Sequence, residues 1–165
     1  MSGLVLREAE VADLPAILAI TNEAITASTA LWTITPTTLT ERGTWMAQRR
    51  EAGFPVLVAE RDAQVLGFGS YGPFRPHEGY RQTVEHSLYV HPASRRAGAG
   101  RALLAALVDH AAAAGRHVMI GGIEAGNVAS IALHEQAGFT RGPVLPEVGR
   151  KFDRWLDLLF MIKRL

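Results

Sequence analysis

The sequence predicts a single α/β (α+β) domain, a mixed central sheet flanked by about four helices. Two features of the hydrophobic pattern carry this. Three strand-like runs follow one another between residues 55 and 90, in the manner of a meander. After residue 90 the pattern changes to strand–helix–strand units, which set strands side by side in parallel. A length of 165 residues matches one ordinary domain, and no Pro/Ser/Gly-rich stretch is long enough to link a second.

Leu4 to Arg7 reads as a short first strand. Asp13 then caps a helix with Pro15 in its first turn, where a missing N–H costs nothing. Leu14, Ile17, Leu18, Thr21 and Ile25 recur at helical spacing and mark its buried face. Thr38 and Glu41 have capping-box spacing and open a second helix, which carries Trp45 and Met46 and stops at Gly53. Pro55 to Arg61 and Val65 to Tyr71 are strands separated by a polar turn at Asp62 to Gln64. A loop from Gly72 to Gln82 leads to a third strand, Thr83 to Val90, which Pro92 ends. A helix follows from Gly98 to about Ala114, with Gly115 as its stop. Val118 to Ile123 is a buried strand, Asn127 to Ala137 a short helix ended by Gly138, and Trp155 to Lys163 the closing strand.

Composition removes several function classes. The 17 Lys+Arg residues against 16 Asp+Glu, a formal charge of +1, exclude a globally basic nucleic-acid binder. The absence of cysteine excludes disulfides, thiolate zinc sites, iron–sulfur clusters and a cysteine nucleophile, and it points toward the cytoplasm. The N-terminus lacks a basic start followed by an apolar run, so no signal peptide is expected. The longest apolar runs, Ala102 to Val108 and Leu158 to Ile162, fall short of the ~20 residues of a membrane helix. No metal is expected: His134-Glu135 has glycine at 138, and the other five histidines form no ligand spacing.

The most informative stretch runs from Tyr89 to Arg101. A strand ends, a loop carries Arg95 and Arg96, and Gly98 and Gly100 open a helix. Unpaired N–H groups at a helix start favour an anion, and glycines let one approach. With Arg101 added, the stretch is either a phosphate or pyrophosphate cradle or simply a glycine-rich helix start with surface arginines. It is not a P-loop, since Gly-Arg-Ala stands where Gly-Lys-Ser/Thr is needed. Nor is it a dinucleotide fingerprint, since position 103 is leucine and the first acid in the next strand, Glu124, comes too late.

Arg-Arg-Ala-Gly-Ala-Gly (95–100) fits the R/Q-x-x-G-x-G/A signature of the GNAT superfamily of N-acetyltransferases, and Asn127 to Phe139 resembles that family's later helix. Within it, Ser28–Thr33, Tyr71–Tyr80, Thr83–Val90 and Val148–Leu158 resemble the phosphinothricin and methionine sulfoximine (methionine sulfone) acetyltransferases. The likeness covers about Leu4 to Lys163. It implies the GNAT fold, acetyl-CoA as cosubstrate and a small amino-acid analogue as acceptor. The acetyl group would pass directly to the α-amino nitrogen in a ternary complex, and the enzyme would act as a homodimer.

The resemblance also implies roles. The loop of Arg95, Arg96, Ala97, Gly98, Ala99, Gly100 and Arg101 holds the pyrophosphate, and Leu88, Tyr89 and Val90 bind the cofactor through their backbone. Glu85 is the base, acting through water; the polar run Glu85-His86-Ser87 between Val84 and Leu88 independently indicates a strand facing something wet. Asn127, Ser130 and His134 share one helix face. Asn127 contacts the cofactor, caps the helix, or both, and Ser130 accompanies it. His134 stands where many relatives have the tyrosine that protonates the leaving thiolate; a packed structural histidine is the alternative. On the substrate side, Arg75 grips the α-carboxylate with His77 nearby, His86 and Ser87 line the pocket, and Trp32 is the lid aromatic. Lys151 reaches over from a neighbouring subunit or is solvated, while Phe152 and Trp155 form an interface or, for Trp155, pack in the core. Two other readings compete. The acceptor is a protein N-terminus, a polyamine or an aminoglycoside, or the domain binds acyl-CoA without turnover.

Overall fold

A computed structural model describes residues 3–165. Strand β1 (Val5–Glu8) leads through one 3-10 turn into helix α1 (Leu14–Ala27). Asp13 does not cap α1 with its side chain, contrary to the pattern. Its buried carboxylate instead accepts two bonds from the Arg7 guanidinium (2.7 and 2.9 Å) and one from Glu10 N (2.7 Å). An available cation on β1 outcompetes the helix start for the carboxylate, because a charge-assisted pair is the stronger bond. The buried face of α1 is Leu14, Ile17, Ile20, Thr21, Ala24 and Ile25, with Leu18 only half-buried. Helix α2 (Leu39–Glu51) starts on the expected capping box, Thr38 and Glu41 bonding each other's backbone at 3.2 and 2.8 Å.

Strands β2 (Val56–Arg61) and β3 (Gln64–Pro73) are joined by Asp62–Ala63, both with positive φ as a two-residue hairpin turn requires. Then come β4 (Thr83–Val90), α3 (Ala99–Ala113), β5 (Val118–Glu124), α4 (Val128–Gln136), β6 (Thr140–Lys151) and β7 (Arg154–Arg164). The sheet order is β1-β2-β3-β4-β5-β7-β6, and only β4–β5 pairs in parallel, so the sheet is mixed as predicted. Strand β6 was not expected from the sequence. It forms the sheet edge and pairs with β7 through two register shifts, which accommodate Gly142, Pro143 and Pro146.

Helices cover both faces. Leu103, Leu104 and Leu107 of α3 pack with Met119 and Met161 on one; Ile17 and Ile20 of α1 and Met46 of α2 pack with Val58 and Phe68 on the other. One departure from regular pairing positions the site. Strands β4 and β5 pair only from Thr83↔Val118 to His86↔Gly121 and then part. Beyond His86, β4 remains paired with β3 as far as Val90↔Gly67, so Ser87 to Val90 present a free backbone edge inside the sheet.

Candidate active site

Alternation along β4 sends its side chains to two places. Val84, His86, Leu88 and Val90 face α3 and α4, while Glu85, Ser87 and Tyr89 face α1 and α2. At the fork between β4 and β5 a groove of about 740 Å³ opens. It is lined by Leu88, Tyr89, Val90, Arg95, Arg96, Gly98, Ala99, Gly100, Arg101, Asn127 and Ser130. These are the residues expected to hold the cofactor, with one exception. Ala97 does not line the groove; its carbonyl accepts from Arg61 Nη2 at 3.2 Å. Arg96 and Gly98 have φ of 69° and 84°, a tight left-handed path that delivers α3 to the groove without a side chain over its first N–H groups. At α4, Asn127 Oδ1 accepts from Ser130 N at 3.1 Å, so Asn127 caps that helix while also facing the groove. Sequence reasoning missed the opposite wall, where α1 and the segment after it contribute Ile20, Glu23, Ala24, Ala27, Ser28 and Ala30. The alanines at 24 and 27, matched by Ala129 and Ala132 on α4, were the available signal.

Beside the groove, and sharing Ala30 and Tyr89 with it, lies a pocket of about 280 Å³. Leu31, Trp32, Arg49, Glu85, His86, Ser87, Gly122, Glu124 and Leu158 complete it. Burial pushes the Glu85 carboxyl above its ordinary range, and the positive charge of Arg75 partly opposes this. Arg75 itself is exposed and does not line the pocket, donating to Phe74 O at 2.9 Å and lying 4.2 Å from the Phe74 ring centre. His77 is exposed at the start of a 3-10 turn and does not line the pocket. Trp32 donates from Nε1 to Thr29 O at 2.8 Å and rests on Gly149 of β6, where a Cβ would meet the ring at 2.3 Å. The Tyr89 hydroxyl is pushed up to about 12 by burial and feels both Arg42 and Glu85.

A groove with an uncapped helix start and three arginines, set at a strand fork next to a half-buried carboxylate, is the arrangement of an acyl-CoA acyltransferase. The family model for the GNAT acetyltransferases matches residues 17–139. The chain belongs to the GNAT acetyltransferase family. It is 52% identical over 157 residues to the L-methionine sulfoximine/L-methionine sulfone acetyltransferase of Pseudomonas aeruginosa, covering 94% of this chain and 91% of that protein. A structure of YncA of Salmonella typhimurium, described as a putative acetyltransferase with its cofactor acetyl-CoA, superimposes with a TM-score of 0.97. It is 45% identical, covering 99% of this chain and 95% of that one. A Brucella melitensis structure described as a ribosomal-protein-alanine N-acetyltransferase gives a TM-score of 0.96 at 53% identity, covering 98% of this chain and 99% of that one.

Two residues of this GNAT enzyme stand elsewhere than expected. His134 does not reach the groove. It is 2% exposed, stacked on His86 with ring centres 5.0 Å apart and edge-on to Phe139. Its Nδ1 lies 2.7 Å from Ser130 O, which only accepts, so Nδ1 carries the proton. Its Nε2 then accepts from His86 Nε2 at 3.0 Å, which leaves the buried His86 Nδ1 without a partner among the described residues. Burial and the neighbouring ring hold His86 down to about 3, and burial lowers His134 too, so both rings are neutral. A ring with both nitrogens engaged has no proton to spare for a thiolate.

Lys151 is the other. It is 4% exposed, and its Nζ donates to Ala24 O (3.3 Å), Ser28 O (2.6 Å) and Leu31 O (2.5 Å) of its own chain. An ammonium has three N–H donors, and all three are spent on these carbonyls. Lys151 therefore ties β6 to the end of α1 and the segment beyond it, rather than meeting a substrate. Among the described residues no cluster of His, Asp or Glu is spaced to hold a metal ion, and no helix is long and apolar enough to cross a membrane.

Proposed function

We propose that the enzyme transfers the acetyl group of acetyl-CoA to the α-amino group of a small amino acid or analogue, of the methionine sulfoximine, methionine sulfone or phosphinothricin type, directly in a ternary complex. One observation carries this reading: the half-buried Glu85 carboxylate faces a small pocket that shares Ala30 and Tyr89 with the groove. Acetyl-CoA supplies the thioester carbonyl that the amine attacks. Arg95, Arg96, Arg101 and the first N–H groups of α3 hold its phosphates. The free backbone edge of Leu88 to Val90 pairs with its amides and provides N–H donors where the carbonyl oxygen gains charge. Glu85, directly or through one water, takes the proton the ammonium must lose. Ser87 and Trp32 shape the acceptor pocket, and the exposed Arg75, whose charge Glu85 feels, draws in the acceptor's carboxylate together with the exposed His77. The name of the Pseudomonas relative supports the methionine sulfoximine and sulfone acceptors, and the description of the Salmonella structure supports acetyl-CoA as donor.

A protein N-terminus is the second reading, favoured by the Brucella description. Thiol release from acetyl-CoA, measured against a panel, separates the two: methionine sulfone, methionine sulfoximine, phosphinothricin, proteinogenic amino acids, an Ala-terminated peptide and a polyamine. A cysteine-free protein adds no thiol background. Saturable turnover on free amino acids, lowered about 10²–10⁴-fold by Glu85→Gln, is expected. Preference for the peptide or the polyamine overturns the reading.

A further inference from the structure

Arg49 is the one cation lining the pocket among the described residues, and no role so far uses its chemistry. It stands in the last turn of α2 and lines the same pocket as Glu85, half-buried. Its neighbour Arg50 is tied to Ala9 O, as an arginine at a helix end commonly is. Arg49 has no such tie: among the described residues no carboxylate, carbonyl or hydroxyl receives its guanidinium N–H groups. Burial and the nearby Arg42 both push its charge toward loss, and no acceptor offsets them. The guanidinium lies against Gly72, where a Cβ would fall 1.5 Å from Nη1. Gly72 in turn is the cross-strand partner of Glu85. A fork of donors, partly desolvated and unpaired, is thus fixed beside the candidate base on a backbone position that only glycine leaves open.

We infer that Arg49 is the carboxylate anchor of the acceptor site. The inference rests on the amino-acid reading above and deepens it. Two parallel N–H···O bonds suit a carboxylate, and the ligand supplies the acceptors this arginine lacks. With Arg75 outside and Arg49 inside, the carboxylate enters past one guanidinium and seats on another. The amine is thereby held against Glu85, and acceptors without an acid group are rejected.

The test compares each amino acid with its α-carboxamide, which keeps the amine and loses the acid. In Arg49→Met the KM of the acid should rise about tenfold or more, with the KM of acetyl-CoA unchanged. The acid-over-amide ratio in kcat/KM should fall by at least about tenfold. Arg49→Lys should restore part of that ratio, since a point charge replaces the fork. Gly72→Ala, which crowds the guanidinium without touching its charge, should reproduce the loss and guards against misfolding of the first variant. An unchanged acid-over-amide ratio in both Arg49→Met and Gly72→Ala overturns the proposal while leaving the amino-acid reading intact. A loss of sulfone-over-thioether discrimination instead, with the acid ratio kept, also overturns it, because the arginine then reads side-chain oxygens. Wild-type enzyme with no turnover on any free amino acid removes both readings together.

Discussion

Two opposing influences meet on the Glu85 carboxylate. Burial raises its pKa and the Arg75 charge partly opposes this, so that in the proposed role of base it is stronger than a solvated glutamate. That suits an α-amino acceptor, whose free pKa is near ~8. The sign of a pH effect follows. Removing the Arg75 charge lets burial act unopposed, so Glu85 holds its proton to higher pH. In Arg75→Gln the acid limb of the kcat/KM profile should therefore move to higher pH, with activity lost first at the acid end. The acceptor KM should rise up to about tenfold through the lost charge-assisted contact. A profile between pH 5 and 9 checks this, and an acid limb that stays put or moves down removes the coupling. Glu85 was legible because the family resemblance puts a carboxylate at its position and the polar run Glu85-His86-Ser87 marks a strand facing something wet. His134 and Arg49 were not. Whether a histidine donates or packs depends on what faces it, and here that is His86, 48 residues away on β4. The free guanidinium of Arg49 is visible only once Gly72 lies under it.

At the scale of elements, the groove and the pocket share one wall. The segment after α1 gives Ser28 and Ala30 to the groove and Ala30, Leu31 and Trp32 to the pocket. It has little regular structure, and β6 holds it twice. Lys151 bonds the carbonyls of Ala24, Ser28 and Leu31, placing a cation at a helix C-terminus where the dipole favours one, and Gly149 seats Trp32. Lys151→Met keeps the stem and removes the donors, leaving three carbonyls to find water or move. Both acceptor KM and acetyl-CoA KM should rise, by about three- to tenfold each. The melting temperature should also fall, by about 2–4 °C per kcal/mol lost in a domain of this size. Calorimetry and steady-state kinetics separate the outcomes: a lower melting temperature with both KM values unchanged makes Lys151 a stability residue only. This strut could not be read from the sequence, because β6 itself could not. Prolines and glycines at 142, 143, 146 and 149 look like loop, and only an edge position with shifted register lets them lie in a strand. The remaining elements were legible because each buries one face with a clear period, or begins on a cap such as Thr38–Glu41.

For the whole molecule, the same edge poses a problem of solubility. Val144, Leu145, Val148, Phe152 and Trp155 are between 38% and 59% exposed, and all lie on the β6–β7 hairpin. Elsewhere the exposed large apolar residues are scattered singly, from Val5 to Val128. An apolar edge hairpin of this kind invites pairing with another chain. The formal charge of +1 gives two copies little reason to repel each other. We therefore propose that the hairpin is covered by a second copy of the enzyme. Light scattering should then report twice the 17.9 kDa of one chain. A charge placed at the centre of the patch, as in Trp155→Asp, should yield monomers that keep their circular dichroism, because Trp155 packs on Arg150 at the surface and not in either core. Activity should then report on how far the edge steadies the site, since β6 carries both Gly149 under Trp32 and Lys151 under Leu31. If dimerisation stiffens that strand, the monomer keeps turnover at saturation but needs several-fold more acceptor to reach it. Folded monomers with wild-type KM would confine the hairpin to assembly, and a wild-type chain that sediments as a monomer would leave the patch without its partner.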